Sequence, residues 1–172
     1  MQIATNIELR TLLDSDQYAI ATLADNKNVW DNLSDVMPSP YTLEDAKDFI
    51  QMTRAEKPKV TFGILYNDEF CGIIGLVLAS GIYRRSAEMG YWIGEPYWGK
   101  GIATEAIRLI TEYGFEQLDL VRIYSGVMAH NTASMRVLEK NGYEKEGVFK
   151  MSVFKNDQLM DEHRFAKTIT NG

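Results

Sequence analysis

The sequence predicts an α+β protein: a mixed, mostly antiparallel twisted sheet flanked by helices. Three observations carry this. A strand pattern opens the chain, and three helical stretches follow before the next strand. The succession strand–helix–strand over residues 86–129 suggests a right-handed parallel crossover. Two strand-like segments, 143–155 and 159–169, then close the chain as a hairpin around Asn156-Asp157-Gln158. The 172 residues are read as one domain, 1–172.

The elements follow in order. Residues 5–13 alternate loosely and read as a strand. Asp14-Ser15-Asp16 supplies a cap for a helix over about 15–25. A second helical stretch is expected from Asn28 to Val36, broken by Pro38 and Pro40. Thr42-Leu43-Glu44-Asp45 resembles a capping box with Asp in place of Glu or Gln. The helix behind it aligns Leu43, Ala46, Ile50 and Thr53 on one stripe, with Phe49 beside it, and ends before Pro58. Val60–Tyr66 is a strand, and Asn67-Asp68 is the turn into an apolar run over 69–80, the pattern of a strand covered on both faces. Ser86 to Glu95 is the next strand; Pro96 lacks an N–H and stops its ladder. A helix starting at Gly101 puts Ile102, Ala106, Ile110 and Tyr113 on one stripe, with Ala103, Ile107 and Gly114 alongside. Val121–Ala129 returns as a strand. Asn131 caps the last helix, and Asn141-Gly142 stops it with Tyr143 covering the final turn.

Composition narrows the function classes. The chain is 45% apolar and 24% charged, as in ordinary globular proteins. No run approaches the ~20 apolar residues of a membrane helix. Met1-Gln2-Ile3-Ala4-Thr5 has no basic region followed by an apolar one, so no signal peptide is expected. A net charge of −6 argues against a broad nucleic-acid surface and is compatible with a cationic amine. Cys71 is the only cysteine, in an apolar run, and reads as a packed thiol rather than a nucleophile. With His130 and His163 it makes no zinc spacing, so no metal is expected, and a reducing cytoplasm is the natural location.

The segment Glu95-Pro96-Tyr97-Trp98-Gly99-Lys100-Gly101-Ile102-Ala103-Thr104-Glu105-Ala106 carries the chemistry. A strand ends, a loop with two glycines follows, and a helix begins at once. The first N–H groups of a helix have no internal partner, and with the dipole they attract a phosphate or pyrophosphate. Glycines at 99 and 101 let main chain approach a ligand. Gly94 to Gly101 nearly spells a P-loop, but Gly101 stands where a Mg²⁺-ligating Ser or Thr is needed. A Rossmann fingerprint fails because position 104 is Thr. A metal-free pyrophosphate loop and an ordinary strand-to-helix turn remain.

Farther along lies Asn131-Thr132-Ala133-Ser134-Met135-Arg136-Val137-Leu138-Glu139-Lys140-Asn141-Gly142-Tyr143. Together with Gly90-Tyr91-Trp92-Ile93 and the loop from Trp98 to Ala103, this segment makes the chain resemble the GNAT superfamily of acetyl-CoA-dependent N-acetyltransferases. The order and spacing fit over residues 86–147. Pro38-Ser39-Pro40-Tyr41-Thr42 with Asp45 adds a likeness to the branch that acetylates ribosomal-protein alanine N-termini. Three positions depart from the family pattern. The loop opens with Trp98 rather than Gln or Arg. The position of a frequent general-acid Tyr is Leu138. The stretch Lys150-Met151-Ser152-Val153-Phe154 lacks the Glu some ribosomal-protein members use as base.

The resemblance implies acetyl-CoA as cofactor, its pyrophosphate held by Trp98, Gly99, Lys100, Gly101, Ile102, Ala103 and Thr104. It implies that the pantetheine arm pairs with backbone at Trp92, Ile93 and Gly94 and meets Asn131, and that Ser134 lies near the thioester sulfur. Glu88, in the strand that leads to this point, is the candidate base, through water, or else a solvated strand carboxylate. Arg136 and Lys140 are either phosphate ligands or solvated cations. The acceptor, an amine-bearing small molecule or a protein N-terminus, is expected among Trp30, Asn32, Met37 and Tyr41, with the protein a monomer or homodimer. The alternative is a non-catalytic acyl-CoA-binding or regulatory module.

Overall fold

The computed structural model describes residues 6–169. Its strands are β1 (Ile7–Arg10), β2 (Thr61–Tyr66), β3 (Glu69–Leu78), β4 (Ser86–Ile93), β5 (Arg122–Met128), β6 (Glu144–Lys155) and β7 (Gln158–Thr168). Its helices are α1 (Gln17–Ala24), α2 (Lys27–Trp30), α3 (Leu43–Arg54), α4 (Ile102–Gln117) and α5 (Thr132–Lys140). The seven strands are ordered β1-β2-β3-β4-β5-β7-β6. The expected α+β class and mixed sheet are therefore found, with β4 and β5 as the parallel pair. The chain divides into two compact units. One runs to Gly75 and includes Tyr91–Ala106; the other comprises Leu76–Gly90 and the chain from Ile107 onward.

In the first unit β1, β2 and β3 form an antiparallel ladder, with Ile7 opposite Tyr66 and Thr61 opposite Gly75. Asn67 and Asp68 make the β2–β3 turn with φ of 50° and 69°. Positive φ at both central residues matches the twist of the strands they join, which is why Asn and Asp serve here. Asp16 is buried and ties β1 to the start of α1: its two oxygens take both Arg10 Nη atoms at 2.8 and 2.9 Å, and one also accepts from Leu13 N at 2.7 Å. The capping box forms at α3: Thr42 Oγ1 accepts from Asp45 N at 3.1 Å and Asp45 Oδ2 accepts from Thr42 N at 2.8 Å. Leu12, Ile20, Ala24, Tyr41, Ala46, Ile50 and Ile73 form the core, with Phe49, Phe70 and Trp92 packed on it.

Three sequence expectations need correction in this unit. Leu43, placed on the buried stripe of α3, is 38% exposed, because the stripe engages the core only from Ala46 onward. The second helical stretch is one turn, Lys27–Trp30, rather than 28–36; Asn26 caps it, and the Trp30 indole then donates to Met37 O at 2.9 Å, holding the following chain as turns. The opening strand covers Ile7–Arg10 only, and residue 5 lies outside the described residues.

In the second unit β4 and β5 pair in parallel from Ser86 opposite Arg122 to Glu88 opposite Tyr124. Beyond that point the Ser125 hydroxyl donates to Met89 O at 3.0 Å, a side-chain bond in place of a ladder bond. β5–β7 and β6–β7 are antiparallel, and β6 carries register shifts at Lys145/Gly147 and Phe149/Val153. Asn156 and Asp157 close the expected hairpin with φ of 52° and 59°. Ile107, Ile110, Leu120, Ile123, Leu138, Tyr143 and Phe165 are buried. The apolar run of β3 is not covered throughout: Val77 is 70% exposed. β2 begins opposite Gly75, so Val77 and Leu78 extend past that partner.

Candidate active site

The loop after β4 is held from both sides within the first unit. Gly94 N donates to Cys71 O at 2.8 Å, a bond to β3. Leu23 of α1 packs on Gly94 so closely that a Cβ there would come within 2.7 Å of Leu23 Cδ2. Glu95–Tyr97 is a single 3-10 turn with Pro96 near its start, where a missing N–H costs nothing. The Trp98 indole then reaches back and donates to Ile93 O at 2.7 Å. Trp98, the departure from the family pattern, thus closes the loop onto the end of β4.

Gly99 and Gly101 adopt φ of 73° and 76°, the left-handed region that side chains resist. A Cβ built on either would meet nothing within 4 Å, so the space beside this main chain is open. α4 begins at Ile102 and runs 16 residues. The N–H groups of Ile102 and Ala103, in its first turn, precede any helix carbonyl that could claim them. With the helix dipole and the exposed Lys100, these donors fit a pyrophosphate.

The acidic residue of this loop is occupied elsewhere. Glu95 Oε2 accepts from Asn26 Nδ2 at 2.8 Å, and Asn28 Nδ2 lies 3.2 and 3.0 Å from its two oxygens. These amide bonds, that from Asn28 foremost, hold the Glu95 carboxyl below the usual glutamate range. Trp30 and Met37, expected near the acceptor, are joined by the indole bond, and Asn32 Nδ2 donates to Asn28 O at 3.1 Å. Tyr41 lies in the core, where burial pushes its hydroxyl up to about 12. Its ring is a packing element.

In the second unit Asn131 caps α5: its Oδ1 accepts from Ser134 N at 3.2 Å, which leaves the Nδ2 amide for a ligand. Ser134 is buried in the first turn of that helix, and Arg136 and Lys140 are exposed along it. Leu138 is fully buried and has no proton to give. The nearby Tyr143 hydroxyl lies 2.8 Å from Thr111 Oγ1 of α4, and burial pushes its pKa up to about 12. Glu88 is exposed between the buried Ala87 and Met89, and shares its face of the sheet with Tyr124, its register partner.

Sequence reasoning missed two carboxylates here. Lys150–Phe154 contains none, but Asp161 reaches across from β7. Its Oδ1 accepts from Met151 N at 2.9 Å and its Oδ2 from Lys150 Nζ at 3.1 Å, and these bonds lower its pKa. Glu162 Oε1 takes Arg164 Nη2 at 2.8 Å, while the Arg164 guanidinium lies 4.5 Å from the Phe149 ring centre and 5.0 Å from that of Tyr124. The register shift between Phe149 and Val153 sets which β7 residues face this stretch, and local sequence does not announce it.

Two left-handed glycines with open space beside them, at the start of a long helix and after a strand with a parallel partner, make a main-chain site that fits a phosphate or pyrophosphate. The acetyltransferase (GNAT) domain family matches residues 6–144, and the chain belongs to it. The probable N-acetyltransferase YjcK of Bacillus subtilis is 35% identical over 147 residues, 82% of this chain and 81% of that protein. Spermidine N(1)-acetyltransferase of Escherichia coli K12 is 28% identical over 168 residues, 95% of this chain and 87% of that protein. Mycobacterium smegmatis RimJ, solved in complex with CoA-disulfide, is 25% identical with a TM-score of 0.86, covering 95% of this chain and 82% of that one. The protein is accordingly an acetyl-CoA-dependent N-acetyltransferase, as the sequence implied.

Proposed function

We propose that the enzyme acetylates a primary amine carried by a small molecule or by a flexible protein N-terminus, with residues 1–172 acting as a single N-acetyltransferase domain. The observation that carries the donor half is the loop Trp98–Thr104, with two left-handed glycines, open space beside them and the first turn of α4. The acceptor half rests on the relatives, which include an enzyme named for spermidine and one named as a putative ribosomal N-acetyltransferase. A cytoplasmic location, a monomeric or homodimeric state and the absence of nucleic-acid partners belong to the same proposal. Consistent with it, no helix among the described residues is long and apolar enough to cross a membrane.

Acetyl-CoA supplies the acetyl group as a thioester, whose carbonyl carbon bonds to the amine nitrogen as the sulfur departs. The chain's residues bind, orient and move one proton. Main chain at 98–104 with Lys100 holds the pyrophosphate. Backbone at Trp92, Ile93 and Gly94 and the Asn131 amide align the arm. Glu88 accepts the proton the amine loses, through water. Ser134 donates a hydrogen bond to the leaving sulfur, which needs modest help because a free thiol ionises at about 8.5. Trp30 and Asn32 border the acceptor, with Tyr41 behind them as packing.

The test is acceptor-dependent release of free thiol from acetyl-CoA across a panel of polyamines, small amines and peptide N-termini. Ser134→Ala is expected to lower turnover roughly tenfold, the worth of one hydrogen bond to a charged group, and to leave acetyl-CoA affinity nearly unchanged. Glu88→Gln is expected to move the rising limb of the pH–rate profile. If both variants turn over a good acceptor like the parent, these roles are wrong; acetylation of hydroxyls alone would remove the amine assignment.

A further inference from the structure

The position of Glu95 poses a physical question. A carboxylate at the entrance to a pyrophosphate loop opposes its ligand by charge. Its contribution to the site therefore comes through the bonds it accepts, and those bonds run to α2, 67 and 69 residues earlier in the chain. Asn26 has two tasks. Its Nδ2 donates to Glu95, while its Oδ1 caps α2 by accepting from Asn28 N at 2.8 Å and Val29 N at 3.3 Å. Asn28 also donates to Glu95, and its carbonyl accepts from Asn32 Nδ2. On the loop side, Glu95 O accepts from Trp98 N at 3.1 Å, and the Trp98 indole returns to Ile93 O. A continuous set of hydrogen bonds thus runs from Trp98 through Glu95 to Asn32. A helix of one turn has no stability of its own, so such contacts, with the burial of Val29, hold it in place.

We propose that Glu95 is a positioning residue that fixes the donor loop and the acceptor-side turn α2 to one another, so that occupying the loop orders the acceptor site. This rests on the reading of Trp98–Thr104 as the donor loop and of Trp30 and Asn32 as acceptor neighbours. Each substrate then meets one end of the latch, at Trp98 or at Asn32, while Glu95 between them is assigned contact with neither.

The experiment compares wild type with Glu95→Ala, Asn28→Ala and Asn26→Ser, the last keeping a capping oxygen while removing the amide donor. Coenzyme A affinity is measured by calorimetry, and amide hydrogen exchange is followed over residues 26–32 and 98–104 with and without coenzyme A. In wild type, coenzyme A is expected to slow exchange in both segments. In Glu95→Ala the protection of 26–32 is lost, coenzyme A binds roughly tenfold more weakly, and the acceptor KM rises while kcat at saturation holds. Asn28→Ala shifts all three in the same direction, and the Glu95→Ala/Asn28→Ala double variant is no worse than Glu95→Ala alone. Glu95→Gln keeps one acceptor oxygen and is expected to restore part of the protection. The proposal is overturned if Glu95→Ala binds coenzyme A like wild type and still protects 26–32, or binds it more tightly as simple charge repulsion requires. Should Glu95→Ala not fold, the two asparagine variants decide by the same readouts. Failure of wild type to bind coenzyme A would instead remove the donor-loop reading.

Discussion

Cys71 has no exposed surface, and its thiol donates to Ile64 O at 3.3 Å. Burial pushes its ionisation up to about 12. The thiolate is the reactive form, so the folded protein should resist Ellman's reagent at pH 8 and release one equivalent of colour only on denaturation. Rapid labelling of the native state would contradict this burial. The sign follows from linkage: with its pKa raised by folding, the neutral thiol favours the native state below the ordinary thiol pKa, and that advantage is lost as pH rises through the folded value. Residues whose role is local were readable from sequence. Asn131 was legible as a cap because capping depends on the next three residues, and Cys71 as packed because its neighbours are apolar. Asp161 and Glu95 were not, since their partners at 150–151 and 26–28 are set by strand register and by the packing of α2.

At the scale of elements, the loop before α4 yields the sharpest expectation. Gly101 is at φ 76°, so a β-branched side chain there is strained even with open space around it. Gly101→Val should cost about 1–3 kcal/mol of stability and weaken coenzyme A binding, checked by denaturant melts and calorimetry on the same sample. Affinity equal to the parent, with the fold intact, would place the pyrophosphate elsewhere. The capping box of α3 and the Asn-Asp hairpin turns were legible because side-chain chemistry dictates them. The extent of α2 was not. Asn28 to Val36 has helical composition, but the Trp30–Met37 bond and the Asn26–Glu95 contact hold one turn and release the rest. The burial of β3 was overread for a related reason: an apolar run reveals nothing about where its partner strand begins.

For the whole molecule, element order alone gave the α+β class and the parallel pair, because a helix between two strands leaves few ways to connect them. The position of β7 between β5 and β6 carried no sequence signal. The net charge of −6 sets a further expectation. Capture of a cationic acceptor at subsaturating concentration and saturating acetyl-CoA should slow as salt rises, since exposed carboxylates act only over about 8 Å at physiological ionic strength. A rate indifferent to salt would exclude steering by charge. The last strand in the sheet order, β6, has a consequence for handling the protein. It presents Phe149, Met151 and Phe154 at 45%, 63% and 64% exposure along an edge. Mutual repulsion among molecules keeps such edges apart, and it vanishes near the isoelectric point, close to 5.0. Light scattering should therefore rise steeply as buffers approach that pH, and Phe154→Lys should suppress the rise; at neutral pH the colloid protects itself.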